Sequence, residues 1–572
     1  LVFFEHFSNS AITDECEGTN VEGNITNNFN NGAWNPNSLP GSVGQYWEAL
    51  YEGIRKANLI IENVQKYNTP DNPQQDGDLR NRIGEMYFMR GYFHMLLLRM
   101  YGEAPYIDRV INAGDNMDFK KESVHSMVEK IVTDAQTAYG MVPNKYVKTS
   151  ENFGRVDKGA CLGLISFVRW VAATPLWNGA SQYGYNLRRV FENEYAYDAT
   201  RWRKAKEAAK AVLDFEVGGT KRYSLYTKHD ANDFKDPADG NLNDSRVYAR
   251  LWDMFYDMDA FANEYVFFMT KSKDQAWQGD IYPPSREGSS RQQPVQEQVD
   301  DYGYPVYSAE ARKGGYDDTN PYVKGTRDPR FYRDVIYHGA PYRNNKNESK
   351  TINTASGSDK IGATNATTTG YYLRKFQQES WNKSGNFSIN APAIWRLPEF
   401  IYIYAEACNE LGEDIDEAYK LVNTVRERSF MKPMPPEVKT NQQLMREYIQ
   451  RERRVELFYE GKRPWTCRLY LEPTSKEELA KESLWKSSGS DNSKRTQKYW
   501  AANNGALPRC QRMINGMRPV QDENGAITVD GVKYRMERFC VEERTFSIQH
   551  YLFPIRQSEL QKTPTIEQNP GW

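Results

Sequence analysis

Two long amphipathic segments that follow one another constrain the fold of this chain more than any other feature. Between Gly44 and Val64, apolar side chains recur at steps of three and four, which is the spacing of one helix face. A second stripe runs from Leu79 to Tyr101. A short break between two such stripes predicts two antiparallel helices that pack as a hairpin.

The same periodicity predicts further helices, several of them again in adjacent pairs. They span Ser123–Tyr139, Asp157–Ala172, Thr200–Phe215, Leu397–Leu411, Ile415–Arg428 and Gln442–Tyr459. From Tyr404 onward the small residues are spaced as in tetratricopeptide repeats, although the strict repeat signature is absent. The predicted fold is therefore mainly α, with tetratricopeptide-like helix pairs stacked into a scaffold.

Helical periodicity is lost in two other parts of the chain. Residues 217–395 and 461–572 are rich in Asn, Asp, Gly, Pro and Tyr, with short strand-like runs at Tyr265–Met269, Arg333–Tyr337 and Tyr551–Ile555. So long a stretch without regular structure predicts a large, irregular, loop-rich subdomain. We therefore predict a single unit, residues 1–572, with residues 1–216 and 396–460 as the helical scaffold and the remainder as this subdomain.

Charge and hydropathy exclude several classes of partner. With 74 basic and 76 acidic residues, the chain has a net charge of −2, which provides no field for nucleic acid. No apolar run reaches the roughly 20 residues of a membrane span. The 38 tyrosines, against 25 phenylalanines, suit exposed binding surfaces but equally suit thick loops packed by tyrosine.

No catalytic or metal-binding pattern stands out. The six cysteines form no CxxC pair, and His94 on its apolar helix face is expected to be a core histidine with its hydrogen bonds satisfied. A glycoside hydrolase needs two carboxylates, and Asp253, Asp257 and Asp259, or Asp300 with Asp301, offer them without a specific signal. Asp71, Asp76 and Asp78 permit a structural calcium ion but lack the spacing of a calcium loop. We predict no cofactor and no catalysis.

Several segments resemble conserved motifs of one family when they are taken in order. They are Tyr46-Trp-Glu-Ala-Leu-Tyr-Glu-Gly-Ile-Arg-Lys-Ala-Asn, Glu85-Met-Tyr-Phe-Met-Arg-Gly-Tyr-Phe with Tyr101-Gly-Glu-Ala-Pro, Arg327-Asp-Pro-Arg-Phe, Arg396-Leu-Pro-Glu-Phe with Tyr404-Ala-Glu-Ala, Arg451-Glu-Arg-Arg-Val-Glu-Leu-Phe-Tyr-Glu-Gly-Lys-Arg, and the closing Glu567-Gln-Asn-Pro-Gly-Trp. Their order and spacing across the chain resemble the SusD-like (SusD/RagB) family of Bacteroidetes. We expect most of these residues to be structural: Glu447 and Arg451 are placed on an exposed helix face, with Glu456 within reach of arginines.

The resemblance implies a non-catalytic lipoprotein of the outer membrane, exposed at the cell surface. Such proteins bind oligosaccharides and act as the lid of a SusC-like TonB-dependent transporter. The lipid anchor would lie outside this numbering. An oligopeptide ligand for a peptide importer is the main alternative, and a secreted glycoside hydrolase is a further one.

Six residues are candidates for ligand contact. The resemblance implies a contribution from Asp14 and from Trp34, which stands among asparagines in a polar segment that core packing explains poorly. Trp277 and Tyr282 flank Gly279 before two prolines, and Arg343 and Tyr371 follow in the loop-rich region. Sugars stack on aromatic rings and take bidentate hydrogen bonds from charged and amide groups, so aromatics near polar side chains in loops are the expected pattern.

Overall fold

The computed structural model of the chain describes residues 7–19, 23–67, 77–146, 151–179, 195–228, 254–269, 279–303, 319–322, 327–343, 349–377, 392–471, 514–546 and 548–572. Its helices are α1 (Gly23–Asn30), α2 (Tyr46–Tyr67), α3 (Gly77–Tyr101), α4 (Val124–Met141), α5 (Lys158–Ala173), α6 (Ala199–Leu213), α7 (Met258–Asn263), α8 (Gln296–Asp301), α9 (Arg330–Asp334), α10 (Leu397–Leu411), α11 (Ile415–Arg428), α12 (Gln442–Glu456), α13 (Arg463–Tyr470) and α14 (Gln557–Lys562). The mainly helical fold is confirmed.

The predicted helices have ends close to the expected ones, and side-chain caps set several of their N-termini. Helices α10 and α11 span the predicted residues, and the others end within three residues of the expected positions. Ser123 caps α4 by accepting a hydrogen bond from Ser126 N at 3.2 Å, and Asp157 caps α5 by accepting one from Ala160 N at 3.1 Å. Such side-chain oxygens satisfy backbone N–H groups that have no partner within the helix.

The helices stack in sequence order until a distant part of the chain joins them. Neighbouring helices pack against each other from α2 through α6, and α10 then packs against α6 and carries α11 and α12. One hydrophobic cluster runs through this stack and also takes in α13 and aromatic residues near the C-terminus. Thus two segments that lie outside the predicted scaffold, 463–470 and 551–566, share its core.

The strands are β1 (Cys16–Gly18), β2 (Glu216–Val217), β3 (Thr220–Lys221), β4 (Tyr265–Phe268), β5 (Gln292–Pro294), β6 (Val335–Ile336), β7 (Pro341–Arg343), β8 (Ser349–Thr351), β9 (Tyr372–Leu373), β10 (Ala393–Arg396), β11 (Ile514–Gln521), β12 (Ile527–Val529) and β13 (Val532–Glu542). They pair as β1–β5, β4–β10, β6–β9, β7–β8 and β2–β3, with β13 central between β11 and β12, and every pair is antiparallel. A second hydrophobic cluster lies among these strands.

Two strand predictions need correction. Residues 333–334 belong to α9, so only Val335 and Ile336 of that run form a strand. The predicted strand at 551–555 is absent, because backbone groups there bond to other partners. Phe553 N donates to Met100 O at 2.9 Å, and its carbonyl accepts from Asn569 Nδ2 at 2.8 Å.

A buried network of arginine and glutamate side chains lies between the two clusters. At its centre, Glu456 of α12 accepts from Arg396 at 2.7 Å, from Arg330 at 3.2 Å and from Arg428. Burial by itself raises the pKa of Glu456, but the surrounding arginines outweigh it and hold that pKa well below its usual value. Glu264 and Glu452 balance the remaining charge by pairing with the same arginines. Glu456 therefore reaches arginines, as predicted.

The β11–β13 unit docks edge-on against a tight turn in the second cluster. Met517 N donates to Thr369 O at 2.8 Å, and Gly370 next to it has φ +86°. A Cβ atom on Gly370 would lie 1.8 Å from Met517 O, which no side chain tolerates. Glycine is thus required at this position both by backbone conformation and by space.

We expect Gly370→Ala to destabilise the protein more than a glycine substitution with the same backbone strain. Gly357 provides the matched control, since its φ is +74° and nothing lies within 4 Å of an added Cβ. The control should cost about 1 kcal/mol of unfolding free energy, and Gly370→Ala about 1–3 kcal/mol more. Denaturant unfolding of both variants measures the difference, and equal losses would contradict the docking geometry.

Candidate functional site

Trp34 lies in the core, contrary to the expectation that core packing explains it poorly. Its side chain is 4% exposed, and its ring stacks on His550 with centroids 4.7 Å apart. The rings of Phe29, Phe553 and Trp572 complete its surroundings, at centroid distances of 5.1, 5.2 and 4.7 Å. The residues next to Trp34 in the sequence are polar, so they gave no sign of its burial. The ring packs instead against residues from the opposite end of the chain.

Asp14 is also fully buried, and its carboxylate has two arginine partners. It accepts hydrogen bonds from Arg454 at 2.6 Å and from Arg463 at 2.8 Å. Asp14 belongs to residues 10–19, which we call the N-terminal clasp because β1 in this segment pairs with β5 and several arginines hold it down. Asp14, which the resemblance implies for ligand contact, is therefore engaged in buried ion pairs.

Tyr282 and Tyr371 are completely buried in the second cluster. The guanidinium of Arg286 lies over the Tyr282 ring, 4.6 Å from its centroid. Tyr371 donates through its hydroxyl to Gln296 Oε1 at 2.6 Å and accepts from Tyr322 at 3.2 Å. Neither ring therefore presents an exposed face to a ligand.

The two remaining candidates stay predictions. Trp277 lies outside the described residues. Arg343 ends β7, where it pairs with Ser349 of β8, and the position of its side chain is not described. Among the four candidates whose side chains are described, the structure thus brings Tyr282 and Tyr371 into one cluster, while Trp34 belongs to the other cluster and Asp14 to a set of ion pairs.

The described tryptophans offer little ring surface for stacking. Seven of the eight are buried, and the eighth, Trp572, is part-buried. Trp572 donates from its indole to Gln549 O and Leu552 O, both at 3.1 Å. Five more tryptophans lie outside the described residues: Trp252, Trp277, Trp381, Trp485 and Trp500. Of the two tryptophans among the six candidates, Trp34 is buried and Trp277 stays a prediction.

Three of the carboxylates that a hydrolase might use are engaged in structural pairs, whereas Asp253 lies outside the described residues. Asp257 caps α7 and pairs with Lys228 at 2.5 Å, which contributes to lowering its pKa against the effect of burial. Asp300 pairs with Arg538 at 2.7 Å, and Asp301 with Arg454 at 2.9 Å. Each of these pairs is accounted for by the packing around it.

Among the described residues, no group of His, Cys, Asp and Glu is arranged to hold a metal ion. The three aspartates considered for calcium lie outside the described residues or have side chains that are not described. His94 is confirmed as a core histidine: its Nδ1 donates to Arg90 O at 2.9 Å and its Nε2 accepts from Ile107 N at 3.0 Å. Burial lowers the pKa of His94 to about 3, so the ring stays neutral.

Arg451 corrects the expectation of an exposed helix face. Its side chain is buried and donates to Asp301 O at 2.7 Å and to Gly303 O at 2.6 Å. Helix α12 is covered by α10 on one side and by α8 on another, so it has no wide solvated face. Arg454 and Arg463, the partners of Asp14, were also missed; the run of basic residues in this segment was the signal for them.

Two features bear on the environment of the protein. None of the helices in the described ranges has the length and apolar composition needed to cross a membrane. Among the described cysteines, Cys16, Cys161 and Cys408 are free thiols, whereas Cys467 is disulfide-bonded. Stable disulfides belong to oxidising compartments.

Two family models match the chain in succession. The model described as "SusD family" matches residues 257–572, and the model described as "Starch-binding associating with outer membrane" matches residues 5–168. Together they match parts of both hydrophobic clusters.

Individual proteins are also similar to this chain in sequence or in fold. A SusD-like protein P2 of Formosa agariphila is 28% identical over 129 residues, which is 22% of this chain and 24% of that protein. A SusD-like protein from Bacteroides fragilis has the same fold, with a TM-score of 0.70 at 19% identity over 99% of this chain and 93% of that one. A laminarin-binding SusD-like protein matches with a TM-score of 0.57 at 16% identity, over 99% of this chain and 94% of that one. Since the first family model covers more than half of the sequence, this chain belongs to the SusD family.

Proposed function

We propose that this protein binds oligosaccharides without cleaving them and delivers them to a SusC-like TonB-dependent transporter in the outer membrane. The observation that carries the proposal is the match of nearly the whole fold to SusD-like proteins, one of which is named for binding laminarin. The identity of the glycan is open. The proposal extends to a lipid anchor that holds the protein at the cell surface.

Three further observations support a binding role outside the cytoplasm. The second family model is described as associating with the outer membrane. The disulfide at Cys467 fits an oxidising compartment. The even balance of charges suits a neutral ligand, because sugars need stacking surfaces and directed hydrogen bonds rather than a strong field.

Calorimetric titration against a panel of oligosaccharides and mixed oligopeptides tests the proposal. We expect saturable binding of at least one saccharide class with a modest Kd, micromolar to millimolar, because an open stacking site gains few contacts. Chromatography of the same samples after long incubation should show intact ligand. Binding of peptides alone would replace the glycan by a peptide, and new reducing ends would make the protein an enzyme.

Trp277 provides a variant for the same titration. If its ring stacks on the ligand, Trp277→Ala should weaken binding of the saccharide found in the panel by about fivefold, the equivalent of about 1 kcal/mol. Met117→Ala is a matched control, since Met117 is 50% exposed in a loop. Unchanged affinity of Trp277→Ala would remove this residue from the site without affecting the proposed function.

A further inference from the structure

The N-terminal clasp is tied to three separate parts of the molecule. Its strand β1 pairs with β5. Asp14 pairs with Arg454 of α12 and Arg463 of α13. Arg544, just after β13, donates to the carbonyls of Thr13 at 2.6 Å, Ala11 at 3.0 Å and Cys16 at 3.3 Å. The clasp therefore connects the helical stack with the loop-rich region.

The charges around the clasp do not balance when all carboxyl groups are ionised. In the described part of the chain, its arginines are Arg454, Arg463 and Arg544, and the carboxyl groups that face them are Asp14, Glu15, Glu17, Asp301 and Glu542. The nearby cations Arg453 and Lys462 supply no surplus, since they pair with Glu399 and Glu406. Among these described groups, the carboxyl groups thus outnumber the cations by two.

Glu15 is one of the two. Its side chain is 1% exposed, and among the described residues its carboxyl group has one hydrogen bond, from Ser10 Oγ at 2.8 Å. It faces a cavity with room for about one water molecule, which Arg453, Arg454, Lys462, Arg463 and Tyr470 also line. Burial raises the pKa of Glu15 to about 7, even though Ser10, Arg454 and Arg463 act to lower it.

The second excess carboxyl group is in the middle of β1, two residues along the chain from Glu15. Glu17 accepts from Arg544 at 2.7 Å, and the same guanidinium donates to Glu542 at 2.8 Å. Burial raises the pKa of Glu17, Arg544 opposes this rise, and the neighbouring Glu542 adds to it. The single positive charge of Arg544 is thus shared by two carboxyl groups.

We propose that the N-terminal clasp is closed by protons held on Glu15 and on the Glu17–Glu542 pair, and that it opens as the pH rises while the helical stack stays folded. When these groups lose their protons, the buried negative charge beside Asp14 and Glu542 exceeds the positive charge that the described residues supply there. The backbone pairing of β1 with β5 and the contacts of Arg544 are then weakened. This device does not depend on which ligand the protein binds.

The direction of the pH effect follows from the difference between the pKa of Glu15 in the folded state and in the unfolded state. An unfolded Glu15 titrates near 4.5, whereas burial raises its folded pKa to about 7. The folded state therefore holds the proton more tightly, and the stabilisation is complete below pH 4.5 and is lost as the pH rises through about 7. Glu17 acts in the same direction because its folded pKa is also raised.

Hydrogen–deuterium exchange of the peptide that covers residues 10–19 tests the proposal in the full-length protein. After correction for intrinsic exchange, its protection should be at least about tenfold lower at about pH 8.5 than at about pH 5.5. Peptides from α4 and α5 should keep their protection at both pH values. The variant Glu15→Gln/Glu17→Gln carries neutral groups of the same shape, so its clasp should stay protected at both.

The control variant is Glu207→Gln, because Glu207 is exposed on α6. The clasp of this variant should lose protection at high pH as it does in the wild type. Equal protection of the wild-type clasp at the two pH values would overturn the proposal, and this result needs no variant to fold. A loss of protection in α4 and α5 together with the clasp would overturn it as well, because it would mean global unfolding.

Discussion

Replacing Trp34 by alanine should lower the free energy of unfolding by about 3–5 kcal/mol, the usual cost of removing a large buried aromatic side chain. The ring fills the space between α1, the segment near Phe553 and the C-terminal Trp572. Those neighbours come from distant parts of the chain, so they cannot all move in to close the cavity. Urea unfolding followed by near-ultraviolet circular dichroism measures the loss.

A matched pair of variants separates packing from ligand binding. Trp34→Phe keeps most of the ring and should recover part of the stability, whereas Met117→Ala at an exposed position should change it by less than about 0.5 kcal/mol. Any saccharide found by titration should bind Trp34→Ala with wild-type affinity at a temperature where the variant is folded. Normal stability with weakened binding would return Trp34 to the ligand site.

Glu456→Gln should destabilise the protein by about 3–5 kcal/mol, because it removes the one negative charge that three buried arginines share. Arg330, Arg396 and Arg428 all donate to this carboxylate, and the side chain has no exposed surface. Because its folded pKa is depressed, Glu456 contributes stability above pH 4.5, and this contribution is lost as the pH falls through the folded pKa. Thermal unfolding at neutral pH measures the effect.

Glu207→Gln is again the control and should stay within about 0.5 kcal/mol of the wild type. In a double-mutant cycle, Glu456→Gln with Arg330→Gln should cost less than the sum of the single changes, since the second substitution removes part of the unmatched positive charge. A wild-type melting temperature for Glu456→Gln would show that the network is not what joins the two hydrophobic clusters.

The scaffold was readable from the sequence because helices depend on local signals. The three-and-four spacing of α2 and α3, and the capping residues Ser123 and Asp157, act within a few residues of one another. The paired strands near the C-terminus were missed, although Asp530-Gly531 marks a two-residue turn between β12 and β13, with φ +50° and +79°. Gly516 and Pro519 interrupt the alternation of apolar and polar residues in β11, so the sequence did not indicate a strand there.

The helices, their stacking class and the resemblance to the SusD-like family could be predicted from the amino-acid sequence, since they follow from periodicity, capping and ordered motifs. Which side chains are exposed depends instead on tertiary contacts. Trp34 is buried by residues more than five hundred positions away, and Asp14 is neutralised by Arg454 and Arg463 from the other end of the chain. Burial and ion pairing depend on contacts between distant segments, and no local pattern records those contacts.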